Sequence, residues 1–99
     1  QKISVRLTVG DNTYQVYISK DLTVYDVMTY LSASSVKPFI FESENYPGLG
    51  YFIKSINGIK NADGYYWTLY VNGKYSTVGA SDYKLSNGDK IDWKYEKNL

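Results

Sequence analysis

The chain opens with two segments in which hydrophobic and polar residues alternate. Residues 3–9 place Ile, Val, Leu and Val on one side and Ser, Arg and Thr on the other, and residues 14–18 resume the alternation. The residues between them, Gly10, Asp11 and Asn12, are typical of tight turns. The pattern predicts an N-terminal β-hairpin with one buried face.

The hydrophobic period then changes to that of an amphipathic helix. One apolar stripe follows the i, i+3, i+4, i+7 rule and consists of Val24, Val27, Met28 and Leu31. Thr23 and Asp26 have the spacing of a capping box, and the Asp26 charge also favours a helix N-terminus. Since Ser34, Ser35 and Pro38 do not sustain a helix, we expect it to end between residues 33 and 35.

The most strongly patterned stretch is a strand over residues 65–71. It places Tyr65, Trp67, Leu69 and Val71 on one side and Tyr66, Thr68 and Tyr70 on the other. Asn72-Gly73 follows directly and favours a type I′ turn, whose two central residues need positive φ. We therefore expect residues 74–77 to return as a short partner strand. A last strand carries Ile91, Trp93 and Tyr95 on one face.

Residues 38–64 have the weakest pattern. Residues 39–41 are expected to form either a short strand or an apolar plug, and residues 42–48 a loop. Residues 51–56 are predicted to form a strand closed by Asn57-Gly58, and residues 59–64 a polar connection. Residues 79–83 are predicted to form a compact turn.

This order of elements favours an α+β fold of the β-grasp type, in which a mixed β-sheet packs on one amphipathic helix and the first and last strands pair in parallel. A simple meander packed on the helix is the alternative. The expected core is Ile3, Val5, Leu7, Val16, Val24, Val27, Met28, Leu31, Trp67, Leu69, Ile91 and Trp93. Burying each large side chain contributes about 1.5–3 kcal/mol, against about 0–1 kcal/mol for an exposed ion pair. Burial of this set is therefore predicted to dominate stability.

Composition narrows the classes of function. The 99 residues are expected to form a single domain, residues 1–99, of ordinary globular composition. The net charge of +1 without a basic cluster argues against nucleic-acid binding. Without Cys or His, the commonest general base and the commonest transition-metal ligand are missing, so we expect no enzyme, no catalytic residue and no metal site. No apolar run approaches the roughly 18 residues of a membrane span.

The chain is rich in tyrosine, with 12 Tyr against 3 Phe. Tyr66, Thr68 and Tyr70, joined by Tyr17 and Tyr75, are candidates for an exposed ladder that stacks on a flat ligand or a sugar. The alternative is a set of cross-strand pairs that stabilise the sheet by about 0.2–1 kcal/mol each.

Acidic residues beside turns give two further candidates. Asp82 and Asp89 indicate either a hard-cation site or turn residues that accept backbone N–H bonds. We favour the turn interpretation, because the Asp-x-Asp-x-Asp-Gly spacing is absent. Glu42 and Glu44 are rejected as a glycosidase pair, since the chain is too short to build the cleft that such a pair needs.

Several motifs together resemble the transcobalamin C-terminal-like domain family. They are Tyr66-Trp67-Thr68-Leu69-Tyr70, Asn72-Gly73-Lys74, Gly79-Ala80-Ser81-Asp82-Tyr83, Gly88-Asp89 and the Ile91/Trp93 strand, and the N-terminal hairpin, the helix and residues 50–58 also fit. The family is β-grasp-like and occurs in bacterial envelope proteins. In the animal cobalamin carriers a similar domain covers one face of the corrinoid, while an α-helical barrel holds the other. Those carriers have Gln and Leu where this chain has Thr68 and Tyr70.

The resemblance implies a non-catalytic binding module, without a cofactor of its own, that covers one face of a corrinoid (cobalamin-like) or other flat ligand. It also implies an extracellular or cell-envelope location, a signal peptide removed ahead of Gln1, and a partner domain in the parent protein. The alternative is a structural or protein-interaction module of a larger surface protein, with no small-molecule ligand. The candidate ligand-binding residues are Tyr66, Thr68, Tyr70, Lys74, Tyr75, Thr77 and Val78.

Overall fold

The computed structural model describes residues 1–97, which form one helix and eight strands. The helix α1 is Val24–Ser34, and the strands are β1 Lys2–Val9, β2 Asn12–Ser19, β3 Phe41–Tyr46, β4 Gly50–Ile56, β5 Ile59–Lys60, β6 Tyr65–Val71, β7 Lys74–Tyr75 and β8 Lys90–Lys97. The last two residues of the predicted domain, 98 and 99, lie outside the described residues.

The larger sheet has the order β2-β1-β8-β6-β7 and confirms the predicted β-grasp arrangement. β1 and β8 pair in parallel at its centre, with Leu7 opposite Ile91, and the other pairs are antiparallel. The meander alternative is therefore wrong. The predicted N-terminal hairpin is confirmed, with Val9 opposite Asn12 across a two-residue turn.

The helix begins at the predicted capping box. Thr23 Oγ1 accepts a hydrogen bond from the backbone N–H of Asp26 at 3.1 Å, and the Asp26 carboxylate accepts one from the backbone N–H of Thr23 at 2.8 Å. The helix ends at Ser34, within the predicted window. Its Tyr25 ring stacks on Tyr51 of β4 at 4.3 Å between centroids, so the helix also contacts the smaller sheet.

The capping box supports a first testable expectation. Thr23→Ala removes the side chain that satisfies an otherwise unpaired N–H of the first turn, and should lower the free energy of unfolding by about 1 kcal/mol. Thr29→Ala is the matched control, because the exposed Thr29 hydroxyl donates only to the Tyr25 carbonyl within the helix. Urea unfolding monitored by circular dichroism measures both. Equal effects of the two substitutions would contradict a capping role for Thr23.

The predicted core is confirmed, with one adjustment. All members of the predicted set are buried except Trp67, which is half-buried and packs against the core. The core also includes residues outside the predicted set: Val9, Tyr14, Ile18, Phe39, Ile53, Ile56, Val71, Ala80 and Leu85. The fold is therefore held mainly by burial between the larger sheet, the helix and the inner residues of the smaller sheet.

The second sheet, in the order β3-β4-β5, corrects the sequence-based expectation of a single sheet. Most of the loop expected over residues 42–48 is strand β3, and the expected polar connection over residues 59–64 contains β5. β3 was missed because its solvent side is charged. Glu42 Oε1 accepts a hydrogen bond from Ser55 Oγ at 2.8 Å. Glu44 Oε1 lies 3.7 Å from the Nζ of Lys54 on the neighbouring strand β4.

Residues 39–41, expected to form either a short strand or an apolar plug, divide between the two: Phe41 begins β3, and Phe39 forms the plug. Phe39 lies outside the strands and is only 2% exposed, whereas Ile40 beside it is 62% exposed.

The returning strand β7 covers only residues 74–75 of the predicted 74–77. The predicted compact turn at 79–83 is confirmed by hydrogen bonds from the N–H groups of Asp82 and Tyr83 to the Gly79 carbonyl. Within residues 1–97, no helix has the length and apolarity needed to cross a membrane.

Candidate functional site

Several side chains join the two sheets. Trp67 Nε1 of β6 donates to the Ile59 carbonyl of β5, and the Tyr95 hydroxyl of β8 donates to the Lys60 carbonyl of β5. The side chain that links β4 to β6 is that of Asn61. Its Nδ2 donates to the carbonyl of Ile53 in β4 at 3.0 Å, and its Oδ1 accepts from the N–H of Trp67 in β6 at 2.9 Å. The side-chain amide thus takes the place of a direct backbone pairing between β4 and β6. Beyond this bridge the two strands separate and leave a gap.

This gap is an open cleft of about 700 Å³. It is lined by the first part of β4 (residues 51–53), by residues 66–70 of β6, by residues 75–80 after the hairpin turn, and by Trp93, Glu96 and Lys97 of β8. On the β4 side, Tyr51 N–H donates to Ser81 Oγ at 3.2 Å. Gly50 is needed there, since its φ is +91° and a Cβ would collide with Ser81 Oγ.

The edge of β6 that faces the cleft is only partly covered. Its odd-numbered residues direct their backbone groups away from β8, as the bonds of Trp67 N–H to Asn61 and of Leu69 C=O to Ser76 N–H show. Between these two bonds, no group of residues 1–97 hydrogen-bonds to the Trp67 carbonyl or the Leu69 N–H. One acceptor and one donor of the main chain are thus available to a bound molecule.

Side chains from both faces of β6 reach this opening. Trp67 and Leu69 approach it from the core side, and Tyr66, Thr68 and Tyr70 from the outer face of the larger sheet. Tyr70 and Tyr75 form an edge-to-face pair with centroids 6.1 Å apart. The cleft therefore combines apolar and aromatic walls with a small number of polar groups, which is the usual make-up of a ligand site.

Tyr70 is held in place and kept protonated. Its hydroxyl donates to Glu96 Oε1 at 2.8 Å, and Lys94 Nζ lies 4.4 Å from the centre of its ring. The hydrogen bond to Glu96, partial desolvation and the negative charge of Glu96 raise the pKa of Tyr70 above its ordinary value of 10.0. Tyr70 is therefore uncharged at neutral pH, and it contributes the surface of a fixed aromatic ring to the cleft.

The residues predicted to bind a ligand lie in one region, with one exception. Tyr66, Thr68, Tyr70, Tyr75, Thr77 and Val78 all line the cleft. Lys74 does not, and lies instead along a smaller neighbouring depression beside the hairpin turn. Tyr17, which was expected to extend the tyrosine ladder, is on β2 and is separated from β6 by β1 and β8. Tyr17 therefore does not extend the ladder, because two strands lie between it and β6.

Other residues of the site were not singled out from the sequence. Tyr51 and Ile53 lie two residues apart in a predicted strand and so share one of its faces. The hydrophobic pattern does not indicate that this strand lies beside β6. Asn61 is a single polar residue in a polar stretch, so its bridging role has no sequence signal. Trp93 was assigned to the core and does lie there, yet its ring also borders the cleft.

The acidic candidates adopt turn roles or lie on the surface. Asp89 accepts hydrogen bonds from the Ser86 N–H at 2.8 Å and from Asn72 Nδ2 at 2.9 Å, which ties the turn before β8 to the β6–β7 turn. Asp82 is exposed in the compact turn. In the described part of the chain, no group of three or more His, Cys, Asp or Glu side chains is placed to hold a metal ion.

Sequence comparison places the chain in a family. Residues 21–97 match the family model described as a domain of unknown function, DUF4430. The chain belongs to this family. A search of curated protein sequences gives no match.

Two solved structures share the fold of this DUF4430 chain. Haptocorrin in complex with Cbi matches with a TM-score of 0.89 and 27% sequence identity, over 100% of this chain and 26% of the haptocorrin chain. A proposed metal-binding protein from Ruminococcus gnavus matches with a TM-score of 0.68 and 17% identity, over 100% of this chain and 99% of that chain. Because haptocorrin is a transcobalamin-family protein, the resemblance drawn from the sequence motifs is confirmed. The DUF4430 chain thus spans about a quarter of haptocorrin's length.

Proposed function

We propose that this protein is a non-catalytic binding module whose cleft between β4 and β6 receives one face of a flat, mainly apolar ligand, with a corrinoid as the favoured class. The observation that carries the proposal is the uncovered edge of β6, framed by aromatic side chains, in a fold that matches haptocorrin bound to Cbi. The structural neighbours are binding proteins, which supports a binding role over a catalytic one.

The physical basis is the combination of surface and polar groups. Tyr66 and Tyr75 are 40% and 64% exposed, so they present ring surface to a ligand without a large rearrangement. The Trp67 carbonyl and the Leu69 N–H add one acceptor and one donor at fixed positions on a strand. A flat macrocycle with amide side arms satisfies both requirements, because its ring contacts the aromatics and its arms hydrogen-bond to the strand edge.

A titration with cobinamide, monitored by tryptophan fluorescence, tests the proposal. Trp67 and Trp93 both border the cleft, so an occupant should change their emission. Val78→Asp places a charge in the apolar wall of the cleft and should weaken binding at least ten-fold. Val36→Asp is the matched control, because Val36 is fully exposed and does not line the cleft.

The titration distinguishes three cases: a ligand site in the cleft, no corrinoid binding, and a surface effect. A saturable change that Val78→Asp weakens and Val36→Asp leaves intact supports the cleft as the site. Absence of a saturable change up to millimolar cobinamide would remove the corrinoid proposal for the isolated chain. Equal weakening by both substitutions would indicate a surface effect and not a site in the cleft.

A second candidate function, a protein-interaction module of a larger surface protein, is favoured by the tip of the β3–β4 hairpin. Tyr46, Leu49 and Phe52 are 43%, 80% and 44% exposed, and the Tyr46 and Phe52 rings lie 6.4 Å apart. Exposed apolar residues that cluster in this way are typical of interaction surfaces. This function requires a partner domain in the parent protein, and the full parent sequence would show whether one exists.

An extracellular or cell-envelope location is part of the proposal. It is supported by the resemblance to envelope domains and is tested by labelling the parent protein on intact cells. Labelling only after the cells are broken would contradict it.

A further inference from the structure

The indole of Trp93 carries a polar atom that the fold leaves without a partner. Trp93 is 5% exposed, and its Nε1 is the one buried side-chain nitrogen or oxygen in residues 1–97 that has no hydrogen-bond partner. Nor does Trp93 belong to any aromatic pair among those residues, so no neighbouring ring takes the place of an acceptor. An unsatisfied buried N–H is unfavourable, and such groups in folded proteins call for an explanation.

The contrast with Trp67 shows that the missing bond is a local feature. Trp67 lies on the same side of the sheet, and its Nε1 donates to the Ile59 carbonyl at 2.7 Å. In the sheet, Trp93 is directly opposite Leu69, whose backbone N–H also lacks an acceptor. Two residues that face each other in the sheet and both line the cleft thus each carry a donor without an acceptor.

We propose that the Trp93 indole N–H is the hydrogen-bond donor for a neutral carbonyl oxygen, carried on a side arm of the ligand that enters the inner end of the cleft. This inference rests on the proposed function, since it concerns the same cleft. Trp93 Nε1 is shielded from bulk water, so its partner arrives with the occupant of the cleft and not with solvent. Because Nε1 is buried, the lining of the cleft around Trp93 must shift when the arm enters.

The charge of the cleft selects a neutral group. Among the described residues that line it, the charged ones are Glu96 and Lys97, which lie further along β8 than Trp93. Neither is directly opposite Leu69 in the sheet. A carboxylate or phosphate at the inner end would lose its hydration without gaining a cation, whereas an amide or ketone carbonyl needs only a donor. The ligand class is thus a flat molecule with carboxamide or similar carbonyl arms.

Because the chain has only two tryptophans, the test has an internal reference. A proton–nitrogen correlation spectrum of the nitrogen-15-labelled chain should contain two indole signals, and the spectrum of Trp93→Phe assigns them. On addition of cobinamide, the Trp93 indole proton should move downfield, as expected when it gains an acceptor. The Trp67 signal should move much less, since its bond to Ile59 already exists.

Two binding measurements complete the test. Trp93→Phe should weaken cobinamide binding about ten-fold. Because the smaller ring also removes buried area from the core, urea unfolding is used to confirm that the variant is folded under the conditions of the titration. Uroporphyrin, a flat macrocycle whose arms end in carboxylates, should bind at least ten-fold more weakly than cobinamide and leave the Trp93 signal unmoved. Cobinamide binding without movement of the Trp93 signal overturns this inference but leaves the proposed function intact. Absence of any cobinamide binding overturns both.

Discussion

Replacing Phe39 with alanine is expected to lower the free energy of unfolding by about 3–5 kcal/mol. Phe39 is only 2% exposed, and its ring packs edge-on against Tyr14 with centroids 5.2 Å apart. The Tyr14 hydroxyl also donates to the Pro38 carbonyl at 2.8 Å, so the segment that carries Phe39 is fixed to β2. Removing the ring leaves a cavity that this pinned segment cannot close. Urea unfolding at equilibrium measures the loss.

Ile40 provides a matched control for Phe39. It is the next residue along the chain and is also large and apolar, but it is 62% exposed. Ile40→Ala should change stability by no more than about 0.5 kcal/mol. A loss for Phe39→Ala below about 1 kcal/mol, or one equal to that of Ile40→Ala, would show that Phe39 is not an anchored plug.

Replacing Asn61 with alanine should have the second largest effect, on stability and on binding together. The substitution leaves the Ile53 carbonyl and the Trp67 N–H without their partners, and each such group costs about 1–3 kcal/mol where it is shielded from water. Because the site is only partly buried, we expect a total loss of about 2–3 kcal/mol. The same change removes the bridge that holds β4 to β6 beside the cleft, so cobinamide binding should weaken at least ten-fold.

Asn45→Ala is the control for this substitution. Asn45 is exposed on β3, and its side chain forms no hydrogen bond within residues 1–97, so its removal should be neutral within about 0.5 kcal/mol. Urea unfolding and the fluorescence titration are both applied to the two variants. If Asn61→Ala retains the stability and affinity of Asn45→Ala, the two sheets are not held together through the Asn61 side chain.

Local sequence signals predicted most of the larger sheet and the helix. Thr23 and Asp26 identified the helix start because a capping box is a contact between residues three apart, and both of its hydrogen bonds are present. The hairpin turns were recognised from Gly10 and Asn72, since positive φ is a property of the residue type at the turn. The parallel pairing of β1 and β8 was inferred from the order of elements, which limits how a small mixed sheet is connected.

The parts that were missed depend on contacts between distant residues. β3 resembles a loop in sequence because its charged side faces solvent, and its partner strand alone identifies it as a strand. Tyr17 was assigned to the wrong neighbours because alternation gives the face of a strand but not its place in the sheet. The bridge through Asn61 and the unpaired donor of Trp93 arise only when two sheets come together. The hydrophobic periodicity of the sequence predicts neither feature.

The cleft therefore has a clear structural origin. A β-grasp sheet leaves the edge of β6 uncovered between Asn61 and Ser76, and the smaller sheet closes one side of that edge without pairing to it. The predicted tyrosines and segment 77–78 surround this edge. Binding at the cleft is the claim on which the proposed function and the role of Trp93 both depend.

A backbone amide shift map with cobinamide tests that claim most directly. Proton–nitrogen correlation spectra of the labelled chain, recorded with increasing cobinamide, report every amide at once. We predict that the largest shifts occur at residues 67–69 and 77–80, while the outer strand β2 is unaffected. Spectra that stay unchanged at millimolar cobinamide, or shifts that are largest on β2, would contradict a ligand site in the cleft between β4 and β6.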